Sequence, residues 1–258
     1  MTDLSLRAPV IRTTSTFHEV KSFAHEKLKG QYRTRYQSPK LRDFLEDPDQ
    51  DLKKFGGGSP IKDDQTTTVT LVANLVEECP IYIKRYNKKN AWHALRRTVS
   101  KSRAENCWMH AITLENLGIA VAPPVAFIQE YLGTGLKGGS WYLSELVVGP
   151  SCLDHLPTID DETVQVQRLE QIIDTLKKIW NRHITHGDLK GSNILLPQDQ
   201  AVLLDLDAMK QHKDDEAARR HIGKDVERFL LNWKKDHPHP ALYELTRRKL
   251  SEAGFSEQ

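Results

Sequence analysis

The stretch HITHGDLKGSNILLPQDQAVLLDLDAMK, residues 183–210, sets a histidine, a lysine, an asparagine and several aspartates around two short apolar runs. A carboxylate at the end of a buried strand loses hydration, which proteins tolerate chiefly beside a metal, a cation or a reacting proton. Asp188 ends His186-Gly187-Asp188, Asn193 follows five residues later, and Asp205 comes after AVLL, twelve residues beyond Asn193. An aspartate such as Asp188 can orient a substrate hydroxyl and accept its proton. Asn193 and Asp205 can hold the Mg²⁺ that bridges nucleotide phosphates, because this ion takes few hard oxygen ligands and keeps water. Lys190, two residues after Asp188, could reach the oxygens of a transferring phosphoryl group.

The order H-x-D, four residues, N, a short strand and then D is that of the catalytic and metal-binding loops of kinases. A lone HGD is a weak signal, but the full order beside a fitting upstream half is a strong one. In IYIKRY, Lys84 falls in the third predicted strand, where a lysine for the ATP phosphates belongs. Side-chain alternation puts Ile81, Ile83 and Arg85 opposite Tyr82 and Lys84. Glu105, in the next predicted helix, can pair with Lys84 and fix its ammonium over the α- and β-phosphates. LSELVVG, residues 143–149, reads as an interlobe hinge whose backbone at Glu145 and Val147 could meet adenine. The glycine-rich FGGGSP precedes the second strand but does not match G-x-G-x-x-G.

Each residue also has a plainer reading. Lys84 could be a solubilising strand charge and Glu105 an exposed helix residue. His186 reads as an orienter of backbone, and Asp207 as a replacement for the usual glycine rather than a second ligand. Asp225, in GKDVERFLLNW, could brace the catalytic loop or simply cap its helix. Trp108 and Met109 read as core.

The elements that must position these residues follow from periodicity. A helix is expected near 17–29, then strands over TTTVTLVAN and CPIYIKRYN, both β-branched or aromatic and alternating. Residues 100–119 have helical spacing and end at Gly118, which suits a helix C-terminus. PPVAFIQEYLGTGLKGGSWYLSELVVG reads as two strands joined by a glycine-rich turn. A helix over about 161–182 carries Val164, Leu169, Ile172, Ile173, Leu176, Ile179 and Trp180 on one face. Two more helices are expected near 216–235 and 240–252. The whole reads as one α+β domain over 1–258, with an N-terminal extension and sheet-rich lobe over 1–148 and a helical lobe over 149–258.

Composition is that of an ordinary globular protein, with 38% hydrophobic and 28% charged residues. The longest apolar runs fall short of a membrane span. The N-terminus shows no apolar signal core, so export is not expected. Three scattered cysteines, Cys79, Cys107 and Cys152, form no metal spacing or disulfide framework and fit a reducing cytoplasm. Net charge is only +2, yet Lys84–Arg103 holds eight lysines and arginines and no acid. That run is either a solvated face or a contact for phosphates or an anionic membrane surface. No groove-reading or base-stacking motif accompanies it, so no nucleic acid is expected.

YIKRYNKKNAWHALRRTVSKSRAENCWMHAITLENLGIAVAPPVAF, HGDLKGSNILL and LLDLDAMK together resemble the lipopolysaccharide core kinases of the protein-kinase-like superfamily. The likeness covers roughly residues 55–235. It implies a two-lobe fold with a shortened helical lobe, ATP and Mg²⁺, and a Kdo or heptose hydroxyl of the inner core as acceptor. It also implies work at the cytoplasmic face of an inner membrane. Lys84, Glu105, Asp188, Asn193 and Asp205 take the roles argued above. Gly187 replaces the arginine of H-R-D, so control by a phosphorylated activation loop is not expected. Asp205 is followed by 53 residues without A-P-E, and the usual peptide-binding part of the second lobe is expected to be missing. A kinase of another small molecule, a small atypical protein kinase and a pseudokinase scaffold are the alternatives. Intact Lys84, Glu105, Asp188, Asn193 and Asp205 count against the last.

Overall fold

The computed structural model describes residues 19–50, 62–63, 67–77, 79–87, 101–133, 135–198 and 200–257. Two compact units emerge, one of Thr16–Thr113 with Ala122–Leu146, the other including Leu114–Val121 and Val147–Gln258. The α+β expectation holds: the first is built on an antiparallel sheet and the second mostly on helices.

The sheet of the first unit comprises β1 (Val20–His25), β2 (Leu28–Arg33), β3 (Lys62–Asp63), β4 (Thr67–Val76), β5 (Cys79–Tyr86), β6 (Pro124–Leu132) and β7 (Leu136–Glu145). Their spatial order is β1-β2-β6-β7-β5-β4-β3. The helix expected near 17–29 is therefore a β-hairpin, and Lys84 lies in the fifth strand rather than the third. Tertiary pairing overrides helix propensity here: β2 lies along β6, with Leu28 opposite Glu130 and Gly30 opposite Ile128. Gly30 is the clue in the sequence. A Cβ there would collide with the Phe127 carbonyl, so only glycine lets these two strands close up.

Among the described residues, each face of this sheet carries one helix. Helix α1 (Pro39–Glu46) starts at Ser38, whose hydroxyl accepts from the Leu41 amide at 3.0 Å, and has Pro39 in its first turn. These are ordinary start signals for a short helix. Leu41, Phe44 and Leu45 fall on one side of it and pack with Leu75, Ile81, Ile83, Ile128, Trp141 and Leu143. Helix α2 (Arg103–Asn116) serves the other face: Ala104, Cys107 and Trp108 pack with Tyr86, Phe127 and Tyr142. The Trp108 indole also donates to Gln31 at 3.0 Å. Met109, expected in the core, is instead 41% exposed. Neighbouring helix positions point about 100° apart, so Trp108 and Met109 cannot both face the sheet. Gly118, at φ +68°, ends the α2 region as expected.

In the second unit, the short α3 (Cys152–His155) precedes the long α4 (Glu162–Trp180), which Asp161 caps by accepting from the Thr163 and Val164 amides. Leu169, Ile172, Ile173, Leu176, Ile179 and Trp180 are buried, but Val164, expected with them, is exposed in the first turn. Two two-residue pairings follow. β8 (Ile184–Thr185) pairs with β11 (Lys210–Gln211), and β9 (Ile194–Leu195) with β10 (Val202–Leu203). Helix α5 (Asp215–Leu231) runs into a π-turn over Asn232–Asp236, and α6 (Pro240–Glu252) follows. Among the described residues no helix is long and apolar enough to cross a membrane.

If α1 is part of the first unit's core, Phe44→Ala should cost about 3–5 kcal/mol, as for other buried aromatics. Urea unfolding followed by tryptophan fluorescence reads this directly. A loss close to zero would mean that α1 only rests on the sheet.

Candidate active site

The stretch around Asp188 is positioned from beneath by one buried carboxylate. β8 delivers His186, and α5 delivers Asp225, which is 3% exposed. The Asp225 carboxylate accepts from the His186 amide at 2.7 Å, the Gly187 amide at 2.9 Å and the Trp180 indole at 3.2 Å. Asp225 is thus the loop brace, and the N-cap of α5 is Asp214. His186 is fully buried, and its Nε2 lies 2.9 Å from the Leu204 carbonyl. A carbonyl can only accept, so Nε2 carries the proton. His186 is a strut between the loop and the strand that leads to Asp205, as its reading as a backbone orienter anticipated.

Gly187 has φ +80°, and a Cβ there would come 2.5 Å from the Ala208 carbonyl oxygen. The departure from H-R-D is therefore a packing requirement of this loop. Asp188 follows with its carboxylate about one-third exposed, 2.8 Å from the Lys190 ammonium and 4.0 Å from Nε of Arg228 on α5. Its carbonyl accepts from the Asn193 side-chain amide at 2.9 Å. The Nδ2 of Asn193 is thereby committed, which leaves Oδ1 as the atom able to accept or ligate. The Leu204 amide donates to the Asn193 carbonyl at 2.9 Å, tying Asn193 to the residue before Asp205. Asp205 itself sits in the left-handed region, φ 56° and ψ 57°, where aspartate is one of the few residues tolerated. Asp207 lies in the short turn that follows and has no positive φ, so this chain does not require a glycine there.

The first unit holds Lys84, Glu105 and Glu145, while Val147 belongs to the second. Lys84 stands opposite Val69 and Tyr142 on β5, its ammonium 5.2 Å from the Tyr86 ring. Tyr86 packs in the cluster that α2 completes, so Lys84 shares the α2 side of the sheet, as alternation required. Glu105 lies in the first turn of α2, its carboxylate 4.0 Å from the ammonium of Lys137 on β7. At the end of β7, the Glu145 amide donates to Pro123 and the Leu146 amide to Pro80, each at 2.9 Å. The Glu145 carboxylate accepts from the Tyr36 hydroxyl and lies 3.4 Å from Arg35. Burial, reinforced by Glu145, raises the Tyr36 hydroxyl well above its usual range and pushes the nearby Cys79 thiol up to about 11. Tyr36 therefore stays a donor at any physiological pH.

Arg228, Asn232, Lys137 and the Tyr36–Glu145 contact were not read from the sequence. Only Asn232 left a trace, as a polar residue inside FLLNW. It is fully buried and accepts from the Gly191 amide at 3.1 Å. FGGGSP and the lysines and arginines at 88, 89, 96 and 97 lie outside the described residues.

The strained position of Gly187 gives a direct check on the loop. Gly187→Ala should cost roughly 1–3 kcal/mol, the usual scale for a forced backbone conformation. It should also abolish most ATP turnover by displacing Asp188. A variant with unchanged melting temperature and turnover would show that the loop can relax around the added methyl.

The sequence model of the lipopolysaccharide kinase (Kdo/WaaP) family matches residues 62–250. Among curated protein sequences none matches this chain. Among solved structures, "WaaP in complex with acyl carrier protein" is similar at TM-score 0.51 and 13% identity, covering 84% of this chain and 97% of that one. A likeness at that identity bears on the fold, and the fold is the kinase-like one that the two units describe separately. The family consists of kinases that use ATP and phosphorylate a hydroxyl acceptor. By its match over most of its length, the chain belongs to the lipopolysaccharide kinase (Kdo/WaaP) family.

Proposed function

We propose that this kinase transfers the γ-phosphoryl group of ATP to a hydroxyl of a Kdo or heptose sugar in the lipopolysaccharide inner core. The observation that carries the reading is the tie of Asp188 to Asn193, and of Asn193 to the residue before Asp205, in segments that Asp225 and His186 hold. The Asp188 carboxylate orients the sugar hydroxyl and accepts its proton as the oxygen attacks phosphorus. Lys190 stabilises the phosphoryl oxygens from two residues away. Catalysis of this kind is mostly positioning and charge stabilisation. Lys84, on the first unit, holds the α- and β-phosphates, with Glu105 fixing its ammonium, and the backbone at Glu145 and Val147 meets adenine. Because the Glu145 amide is committed to Pro123, its carbonyl is what it offers.

The donor set fits Mg²⁺. Among the described residues no three His, Cys, Asp or Glu side chains group as a metal cluster. Mg²⁺ in nucleotide sites uses one or two protein oxygens, with phosphates and water completing its shell. Oδ1 of Asn193 and the carboxylate of Asp205 are two such oxygens, on segments that flank the β9–β10 pair and are tied at Leu204. When bound there, the ion would neutralise charge on the β- and γ-phosphates. The basic run from Lys84 to Arg103 is the part of the chain suited to the anionic membrane surface on which such an acceptor lies.

Transfer of labelled γ-phosphate to purified core lipopolysaccharide, with mass spectrometry of the product sugar, tests the proposal. Asp188→Asn keeps size and polarity but cannot take a proton, so transfer should fall by about 10² to 10⁴-fold while nucleotide still binds. Asp205→Ala should abolish turnover with little change in melting temperature. Full-speed transfer by the Asp188 variant would overturn the assigned role.

A further inference from the structure

We infer that Arg228 selects an acceptor sugar that carries an anionic group, a carboxylate or a phosphate, close to the hydroxyl that is phosphorylated. The inference rests on Asp188 receiving that hydroxyl. Arg228 lies three residues after Asp225 on α5, so the two share a helix face directed at the catalytic loop. Its Nε is 4.0 Å from the Asp188 carboxylate, and its Nη1 is 2.8 Å from the carboxylate of Asp236. The first distance is too long for a hydrogen bond. A guanidinium carries five donors in a rigid fork that matches carboxylate and phosphate. Here it makes these two ion pairs and no hydrogen bond or further ion pair among the described residues, and its side chain is 25% exposed.

The geometry places this fork beside the reacting group. A hydroxyl held by Asp188 lies within hydrogen-bond reach of that carboxylate, so other substituents of the same or the adjoining sugar fall where Arg228 can meet them. Asp236 shows that the guanidinium already binds a carboxylate from this side. It stands at the end of the Asn232–Asp236 π-turn and is one-third exposed. This π-turn closes the C-terminal end of α5. Asn232, at its start, holds the Gly191 amide, while Asp236, at its end, holds Arg228. As a stabilising pair alone, a partly exposed Arg228–Asp236 contact would contribute little.

Steady-state kinetics at saturating ATP separate recognition from mere support. The acceptors are core oligosaccharide with its native anions, the same material with carboxylates converted to amides, and the same material with phosphates removed. Arg228→Gln should raise KM for the native acceptor by about ten- to a hundredfold, the scale of lost hydrogen bonds to a charged group. The effect on kcat should be much smaller, and KM for ATP should not change. Arg228→Lys, which keeps charge but loses the fork, should recover part of the loss. Asp236→Asn should leave acceptor KM unchanged or lower it, because it removes a competing carboxylate.

For wild type, one of the two modified acceptors should show the raised KM, and against that acceptor Arg228→Gln should add nothing. Which one it is names the anion as carboxylate or phosphate. If Arg228→Gln and Asp236→Asn raise KM alike, or if the Arg228 loss is equal on all three acceptors, Arg228 is only a strut and the inference fails. Wild-type activity would persist in that case. If wild type phosphorylates none of the three, the sugar-kinase proposal fails and the inference falls with it.

Discussion

The carboxylate of Asp225 is the contact on which the catalytic unit depends. A buried carboxylate is costly unless its oxygens are hydrogen-bonded, and here three donors converge on it: two consecutive loop amides and the indole of Trp180. The loop amides have no sheet partner of their own in this arrangement, so Asp225 also satisfies backbone groups that could not be buried otherwise. With His186 and Gly187 held, the chain must turn at Gly187 with a positive φ, and Asp188 leaves the turn facing Lys190 and Arg228. The same carboxylate ties α4, through Trp180, to α5. Trp180 in turn packs on Phe255, at a ring-centre distance of 4.8 Å, so the C-terminal segment completes the packing beneath the brace.

Around that contact a second set of bonds links the segments that carry Asp188, Asn193 and Asp205. His186 reaches the Leu204 carbonyl, and the Leu204 amide reaches the Asn193 carbonyl. The residue before Asp205 is therefore fixed on both sides. Asn232 performs the same service for Gly191 from the end of α5. The active groups stay polar and partly exposed, while the residues that hold them are buried. This division lets the loop present charge while its His186 and Gly187 amides are satisfied from beneath.

Much of this was legible in the sequence because it is local. The spacing of Asp188, Asn193 and Asp205 needs only a turn, a short strand pair and a second turn, and β9, β10 and the turn at Asp205 supply them. The strands bearing Lys84 and Glu145 and the helices from 103, 162 and 240 onward were written in their periodicity and caps. What was missed is long-range. The hairpin over 20–33 forms because β6 offers an edge more than ninety residues away, and only Gly30 hinted at it. Whether Asp225 caps or braces could not be decided without knowing that Asp214 takes the cap. Arg228 had no signal at all, since its meaning comes from Asp188, forty residues earlier in the chain.

Native-state hydrogen exchange of the His186 and Gly187 amides tests the central claim most directly, because it reports the bonds to Asp225 themselves. Both amides should exchange as slowly as the buried core of α4. In Asp225→Ala they should exchange like an open loop while α4 keeps its protection. Rapid exchange at His186 and Gly187 in the wild type, or slow exchange that survives loss of the carboxylate, would contradict it.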